Sequence, residues 1–376
     1  MKDSEKSGTA VHEFLSQFSP DASGLNSTAI MHLNKKDIKN FTPEEFKEEL
    51  KKISEPPYRA EQVFIWSYKK GACDFGAMNN LPKVLKDKLS QYYYIGAIKP
   101  LKHLKSIDQT EKFLFELADG NLIETVLIYA WQRETLCIST QAGCKFACSF
   151  CASGMNGFKR DLSVSEILSQ ILSIEHNLKH KITNFVFMGM GEPLDNYENV
   201  SKAIKIMNSK KGMSIAARRI TVSTAGIIPG IEKFKELGLQ VNLSISLHAA
   251  NNELRDTLMS VNKKYPLEEL LKACESYMEN GGRMLTFEYI LIKGVNDSQK
   301  DIDELVKAAK RLKAKVNLIS YSPVPGLDFQ APLEKDVKIF EDKLLKRGVH
   351  VTIRDSKGKD IMAACGQLAG EGGDGD

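Results

Sequence analysis

From Thr135 onward the sequence predicts an α/β protein built as a partial (βα)6 barrel, and three observations carry that prediction. Short apolar runs at 136–140, 184–188, 219–223, 241–247, 285–292, 316–320 and 349–354 alternate with amphipathic stretches centred near Ile167, Ala203, Phe234, Leu270, Leu305 and Phe340. Alternation of this kind implies parallel βαβ units whose helices cover the sheet. Six such units are too few to close an eightfold barrel, so the barrel is partial. The cysteine-rich loop at 144–151 follows the first of these strands, and barrels gather their chemistry at the C-terminal ends of strands.

The elements follow in order. Residues 1–32 are Ser-rich and poorly periodic and read as a flexible extension, with Met31 a second candidate start. They hold no Arg and no apolar signal core, so no export or import segment is expected. Residues 33–97 read as a small helical accessory domain. Its first helix opens at Thr42-Pro43-Glu44-Glu45, with Thr as cap, Pro at the first helical position and acids in the first turn, and runs to about Ile53. A second starts at Pro57 and ends near Gly71, and a third runs from Pro82 to Tyr93. Residues 98–133 read as a strand-rich linker, with Asp119-Gly120-Asn121 turning between strands at 113–117 and 122–129. The barrel takes 134–356. The last segment, 357–376, carries Cys365 and ends in a Gly/Asp-rich tail expected to be disordered.

Bulk composition excludes several classes. The 376 residues are 42% hydrophobic and 27% charged, ordinary for a globular protein. No stretch reaches the roughly 18–20 uncharged apolar residues of a membrane helix. Seven cysteines, odd in number and mostly clustered, suit a reducing cytoplasm better than a secreted disulfide framework. The net charge is only +4, yet residues 33–105 hold fifteen Lys/Arg against nine Asp/Glu. That excess is either a solvated helical surface or a phosphate-contacting one.

The run Cys144-Lys145-Phe146-Ala147-Cys148-Ser149-Phe150-Cys151 spaces three thiols by three residues and then two. Three thiolates bind three irons of a [4Fe–4S] cluster and leave the fourth iron open to chelate a small molecule and pass it an electron. A structural zinc site pairs two knuckles or adds histidines, and the loop has neither. The spacing resembles the defining motif of the radical S-adenosylmethionine (SAM) superfamily. There the open iron chelates the amino and carboxylate groups of SAM, and electron transfer yields a 5′-deoxyadenosyl radical. Met188-Gly189-Met190-Gly191-Glu192-Pro193 follows the second strand and resembles that superfamily's GGEP segment, which marks Gly191 and Glu192 as SAM contacts. Ser223 ends the third strand and Ser246-Leu247-His248 the fourth, placing short polar groups where ribose hydroxyls and a carboxylate would lie. On its own, His248 reads more readily as a satisfied core or loop histidine than as a ligand; its place at the end of a barrel strand reverses that preference.

Two further cysteines sharpen the resemblance. Cys137 precedes the cluster loop, and Cys365 sits in Ala363-Ala364-Cys365-Gly366-Gln367-Leu368 after the last strand. With Val295-Asn296-Asp297 and the segments above, they recur in the order seen in the RlmN/Cfr group of radical SAM RNA methyltransferases, over roughly residues 33–370. The resemblance implies a [4Fe–4S] cluster on Cys144, Cys148 and Cys151, two SAM molecules per turnover, and methylation of an adenine in 23S rRNA, with tRNA open as a second substrate. MGMGEP is similar to the RlmN side, which modifies carbon 2; the Cfr side modifies carbon 8. In this family the first SAM methylates Cys365, and a hydrogen is then taken from that methyl group. The resulting carbon joins the adenine, Glu124 matches the proposed proton acceptor, and Cys137 releases the product by forming a disulfide with Cys365. Ser322 stands where the family carries an Asn that contacts SAM, a departure that removes an amide. The helical N-terminal domain resembles the family's helix–hairpin–helix-like accessory domain. Arg59, Lys69, Lys70, Lys83, Lys86 and Lys88 are its candidate phosphate contacts, and Arg218 and Arg219 at the barrel edge are others. The target adenine must be unstacked to react. A monomer is expected, drawing electrons from a donor such as flavodoxin, with no membrane partner. Two other readings stand beside this one: another radical SAM enzyme such as an activase, and a noncatalytic RNA-binding protein with a structural metal.

Overall fold

The computed structural model describes residues 35–179 and 181–370. The extension at 1–32 and the end of the tail, 371–376, lie outside the described residues. The N-terminal unit begins with a two-residue strand β1 (Lys36–Asp37) and a 3-10 turn, then α1 (Pro43–Lys52), α2 (Arg59–Lys69) and α3 (Lys83–Tyr92). The Thr42 hydroxyl accepts from Glu45 N–H while the Glu45 carboxylate accepts from Thr42 N–H, a capping box that starts α1 where the sequence places it. Strand β2 (Tyr93–Tyr94) returns parallel to β1 and closes the unit. Phe46, Phe64 and Tyr93 pack edge to face or tilted inside it.

Strands β3 (Pro100–Lys105), β4 (Glu111–Glu116) and β5 (Leu122–Ala130) form an antiparallel meander, and β5 turns through Trp131-Gln132 into β6 (Arg133–Cys137). The meander is therefore more than a linker: it pairs with β6 and extends the barrel sheet. Short strands β7 (Gln141–Ala142) and β8 (Arg160–Asp161) pair and close the base of the cysteine loop.

The barrel then alternates as expected: α4 (Val164–Leu178), β9 (Asn184–Phe187), α5 (Tyr197–Asn208), β10 (Ile220–Thr224), α6 (Ile228–Lys235) and β11 (Asn242–Ser246). A short helix α7 (Asn252–Leu258), with no counterpart in the strand–helix pattern, precedes α8 (Leu267–Glu279). The series ends with β12 (Thr286–Leu291), α9 (Gln299–Leu312), β13 (Lys315–Ser320), α10 (Glu334–Lys346) and β14 (Val351–Arg354). Strands β6 and β9 to β14 are all parallel, in the order 14-13-12-11-10-9-6, and β5-β4-β3 continue that sheet antiparallel beyond β6. Seven parallel strands joined by six crossovers make an open, partial barrel. The apolar core is continuous from the N-terminal helices through α4 to the barrel. Buried Lys39 bridges the two units, its ammonium donating to Gly96 O and to Ser169 Oγ on α4, while Asn40 Oδ1 accepts from Ser165 N–H at the start of α4. No helix among the described residues is long and apolar enough to cross a membrane.

Candidate active site

A cavity of about 450 Å3 is lined from every parallel strand of the barrel, from β5, and from the segment after β14. Cys137, Cys144, Cys148, Cys151, Cys365, Gly191, Glu192, Ser223, Ser246 and His248 all line it. Glu124, Leu247 and Ser322 do not.

The cysteine loop is shaped by backbone that few residues tolerate. Gly143 adopts φ +75°, and a Cβ there would overlap the carbonyl of Gly157. Ala147 is held at φ +38°. Cys151 N–H donates to Cys148 O at 3.0 Å, and Ser149 N–H to Leu258 O at the end of α7 at 3.0 Å. Burial, with the neighbouring thiolates adding for Cys144 and Cys148, pushes all three thiols up, Cys144 to about 12. Clustered thiols this hard to ionise alone are the electrostatic counterpart of a site that takes a cationic group, since a bound metal deprotonates its thiols outright. Among the described residues no three His, Cys, Asp or Glu side chains converge on a single metal ion, as a structural zinc requires. A three-thiolate iron–sulfur cluster fits the loop.

Beside it, Gly189 and Gly191 serve packing. A Cβ on Gly191, at φ +93°, would overlap the Gln141 side chain, and one on Gly189 would press on Ser139 and Ile138. These glycines seat the loop against the end of β6 and the strand that follows. The Glu192 carboxylate is sealed by Leu194 N–H at 2.9 Å and Ala225 N–H at 2.7 Å, tying the ends of β9 and β10 together, and burial raises its pKa to about 7. The Ser223 and Ser246 hydroxyls lie 3.2 Å apart on adjacent strands. His248 is fully enclosed, its Nδ1 accepting from Ile290 N–H at 3.0 Å, so the neutral ring carries its proton on Nε2. Burial lowers its pKa to about 3. Leu247 is core; its N–H donates to Glu288 O. Ser322 is buried with its Oγ unpartnered, the kind of orphaned polar atom that a bound ligand or water satisfies. The paired serines and the His248 N–H, all on the cavity, are a donor and acceptor set that suits SAM; the Ser322 hydroxyl lies off it.

Cys365 opens on the cavity, and its thiol is pushed up to about 12 by the surrounding protein, then by Cys151 and Cys137. Cys137, at the C-terminal end of β6, is buried and likewise held near 12. The Cys365 segment is pinned on both flanks. Ala152 N–H donates to Gly366 O at 2.7 Å, Ser153 Oγ to Leu368 O at 2.6 Å, and Gln367 Nε2 to Pro323 O at 2.7 Å. Glu124 belongs to this clamp. One of its oxygens pairs with Lys112 at 2.8 Å, and the other accepts from Ala369 N–H at 2.8 Å and Gly370 N–H at 3.1 Å. Lys112 Nζ also donates to Met362 O at 3.2 Å.

Sequence reasoning missed several residues that the fold brings here. Glu288 on β12 lines the cavity, with one oxygen accepting from Asn317 Nδ2 at 2.9 Å and the other unpartnered. Buried Arg255 on α7 ties Leu247 O, Ala225 O and Asn262 Oδ1 together. Arg354 and Lys357 edge the cavity. Their signals in the chain are single polar residues on strands, or basic residues just after one. Of the candidate phosphate contacts, Lys88 is paired with Glu55, and Lys86 donates to Gly76 O. Lys69, Lys83, Arg218 and Arg219 are exposed.

Comparison with known proteins agrees with this architecture. Residues 138–306 match the radical SAM superfamily model, and residues 36–95 match the ribosomal RNA large subunit methyltransferase N-terminal domain. A probable dual-specificity RNA methyltransferase RlmN from Clostridium novyi is 44% identical over 334 residues, covering 89% of this chain and 97% of its own length. One from Caldicellulosiruptor saccharolyticus is 46% identical at the same coverage. The crystal structure of a radical SAM methyltransferase from Sphaerobacter thermophilus superposes with a TM-score of 0.85 at 41% identity, covering 89% of this chain and all of that one. Similarity of this extent, spanning both the N-terminal unit and the barrel, shows that the chain belongs to the RlmN family of radical SAM RNA methyltransferases.

Proposed function

We propose that this protein methylates carbon 2 of an adenine in 23S rRNA, and also acts on tRNA, in the cytoplasm. It works as a monomer, fed by an electron donor of the flavodoxin kind, and uses two SAM molecules per turnover. The observation that carries the reading is the meeting of two nonligand thiols, Cys137 and Cys365, in the cavity that holds the three-cysteine loop. The printed description of the relatives as dual-specificity RNA methyltransferases supports two RNA substrates.

The chemistry asked of the chain follows from the target. A ring C–H of adenine is too weak an acid for direct methyl transfer, so the methyl carbon must arrive as a radical on a tether. Cys365 is the tether: its thiolate takes a methyl group by displacement. Cys144, Cys148 and Cys151 would hold a [4Fe–4S] cluster, which would supply the electron that cleaves SAM. Cys365 would then give up a hydrogen atom from its S-methyl group to the 5′-deoxyadenosyl radical derived from SAM, and the methylene radical left on Cys365 would bond to carbon 2 of the adenine. The adduct then loses its unpaired electron, which a bound cluster would take back, and its ring proton, which goes to a base. Cys137 attacks the Cys365 sulfur; an S–S bond forms, the S–CH2 bond breaks with its electron pair on carbon, that carbon takes a proton, and the methylated base departs. For Glu124 to take the ring proton, residues 369–370 must lift from its carboxylate, which frees one oxygen.

The test is anaerobic turnover of the reconstituted enzyme on unmethylated rRNA fragments and tRNA, with nucleoside mass spectrometry. The reading expects SAM-dependent 2-methyladenosine from both. Formation of 8-methyladenosine would move the chain to the carbon 8 reaction, and loss of the product in a Cys365→Ala variant is required.

A further inference from the structure

Trp131 sits at the tip of the β5–β6 hairpin, 91% exposed, the most open large hydrophobic side chain among the described residues. A solvated indole on a tight turn costs apolar exposure and contributes nothing to the core. Its surroundings suggest what it does. The strands on either side of the turn carry Tyr129, Ala130, Arg133 and Thr135, all lining the cavity that also holds Cys137 and Cys365. The cavity wall therefore runs unbroken from the thiols down β5 and β6 to the foot of the hairpin. At ~3.3 Å per strand residue, the indole lies ~20 Å from Cys137, a few nucleotides away along an extended strand.

The charge there matches a polyanion. Arg133, two residues on, is exposed and forms no ion pair among the described residues; exposed Arg354 and half-buried Lys357 edge the same cavity nearer Cys137, and Glu134, Asp355 and Glu288 are the acids close to these three. An exposed aromatic face interleaved with basic side chains is the chemistry that holds single-stranded nucleic acid, with bases stacking and phosphates neutralised. We propose that Trp131 is a stacking platform for an unpaired base of the RNA substrate a few nucleotides from the target adenine, with Arg133 on the adjoining phosphate. The proposal rests on the RNA methyltransferase reading above.

The chain has two tryptophans, and Trp66 is engaged elsewhere: its Nε1 donates to Asn80 Oδ1 and Lys70 covers its ring. Indole fluorescence of Trp66→Phe during titration with unmethylated RNA therefore reports Trp131 alone. Quenching is expected in the wild type and in Trp66→Phe, and is smaller in Trp131→Phe than in the wild type. Because the side chain is exposed, Trp131→Ala should fold, load its cluster and bind SAM as the wild type does. Its KM for RNA should rise about tenfold or more, while Trp131→Phe retains part of the affinity. Unchanged RNA affinity and unchanged quenching in Trp131→Ala would overturn the proposal. So would a defect seen only with a protein electron donor and not with dithionite, since the tryptophan would then dock the reductant. If the wild type itself neither bound nor methylated RNA, the underlying reading would fail, and the proposal with it.

Discussion

The Lys112–Glu124 pair should govern whether the Cys365 segment stays docked, and Lys112→Met tests this. Both side chains are nearly enclosed, at 9% and 2% exposure, and the pair grips the segment at Met362 on one side of Cys365 and at Ala369 and Gly370 on the other. Removing one member of a buried ion pair leaves the other charge unpaired and costs about 3–5 kcal/mol. If that cost is relieved locally, by residues 362–370 lifting so that water reaches Glu124, the opening equilibrium rises by between about 10² and about 5 × 10³. The remaining anchors, Ser153 to Leu368 O and Gln367 to Pro323 O, keep the gain toward the lower end. The assay is amide hydrogen exchange across residues 358–370, read with the rate of Cys365 alkylation. Glu124→Gln retains an acceptor for the two N–H groups and should loosen the segment less. Unchanged exchange at 362–370 in Lys112→Met, with only the global melting temperature lowered, would refute the reasoning and make the pair a support for the meander alone.

Two other expectations follow from the site's geometry. His248 is held neutral with a pKa near 3, against an ordinary value of about 6.5 in the unfolded chain. Unfolded protein thus binds the extra proton between those values, so this contribution is complete above pH 6.5 and is lost as pH falls toward 3. The unfolding free energy of the apoprotein, from denaturant titration, should drop by up to about 1.4 kcal/mol per pH unit over that window, and less steeply in His248→Asn. Gly191→Ala sets a Cβ against Gln141 at a positive φ, and should cost about 2–5 kcal/mol from the strained backbone and overpacking together. Thermal unfolding reads the stability loss, and equilibrium dialysis should show SAM affinity falling with it.

Much of this was legible because the signals are local. Alternating apolar runs and amphipathic stretches encode βαβ units directly, and Thr42 with Glu45 marks a helix start within four residues. The three cysteines and MGMGEP carry their meaning in their own spacing. Other features depend on which distant segments meet. Nothing within 98–133 states that β5 pairs with β6 rather than forming a separate hairpin, since strand pairing is decided by tertiary partners. Glu124 has the same character: its partners at Ala369 and Gly370 lie more than 240 residues away, so its place in a clamp was invisible. Glu288 reads as a stray charge in an apolar strand, and Arg255 as one charge among several on a polar helix, until the barrel closes around them. The glycines of MGMGEP are also required by Gln141 and Ser139, neighbours that only the fold supplies.

The central claim is that Cys365 carries the methyl carbon to RNA and Cys137 releases it. The most direct measurement is made on Cys137→Ala, isolated anaerobically from a host containing the RNA, digested and analysed by mass spectrometry. The account predicts a nucleotide joined through one carbon to the Cys365 peptide, accumulating because nothing resolves it. An unmodified Cys365, in protein whose cluster is intact, would contradict it.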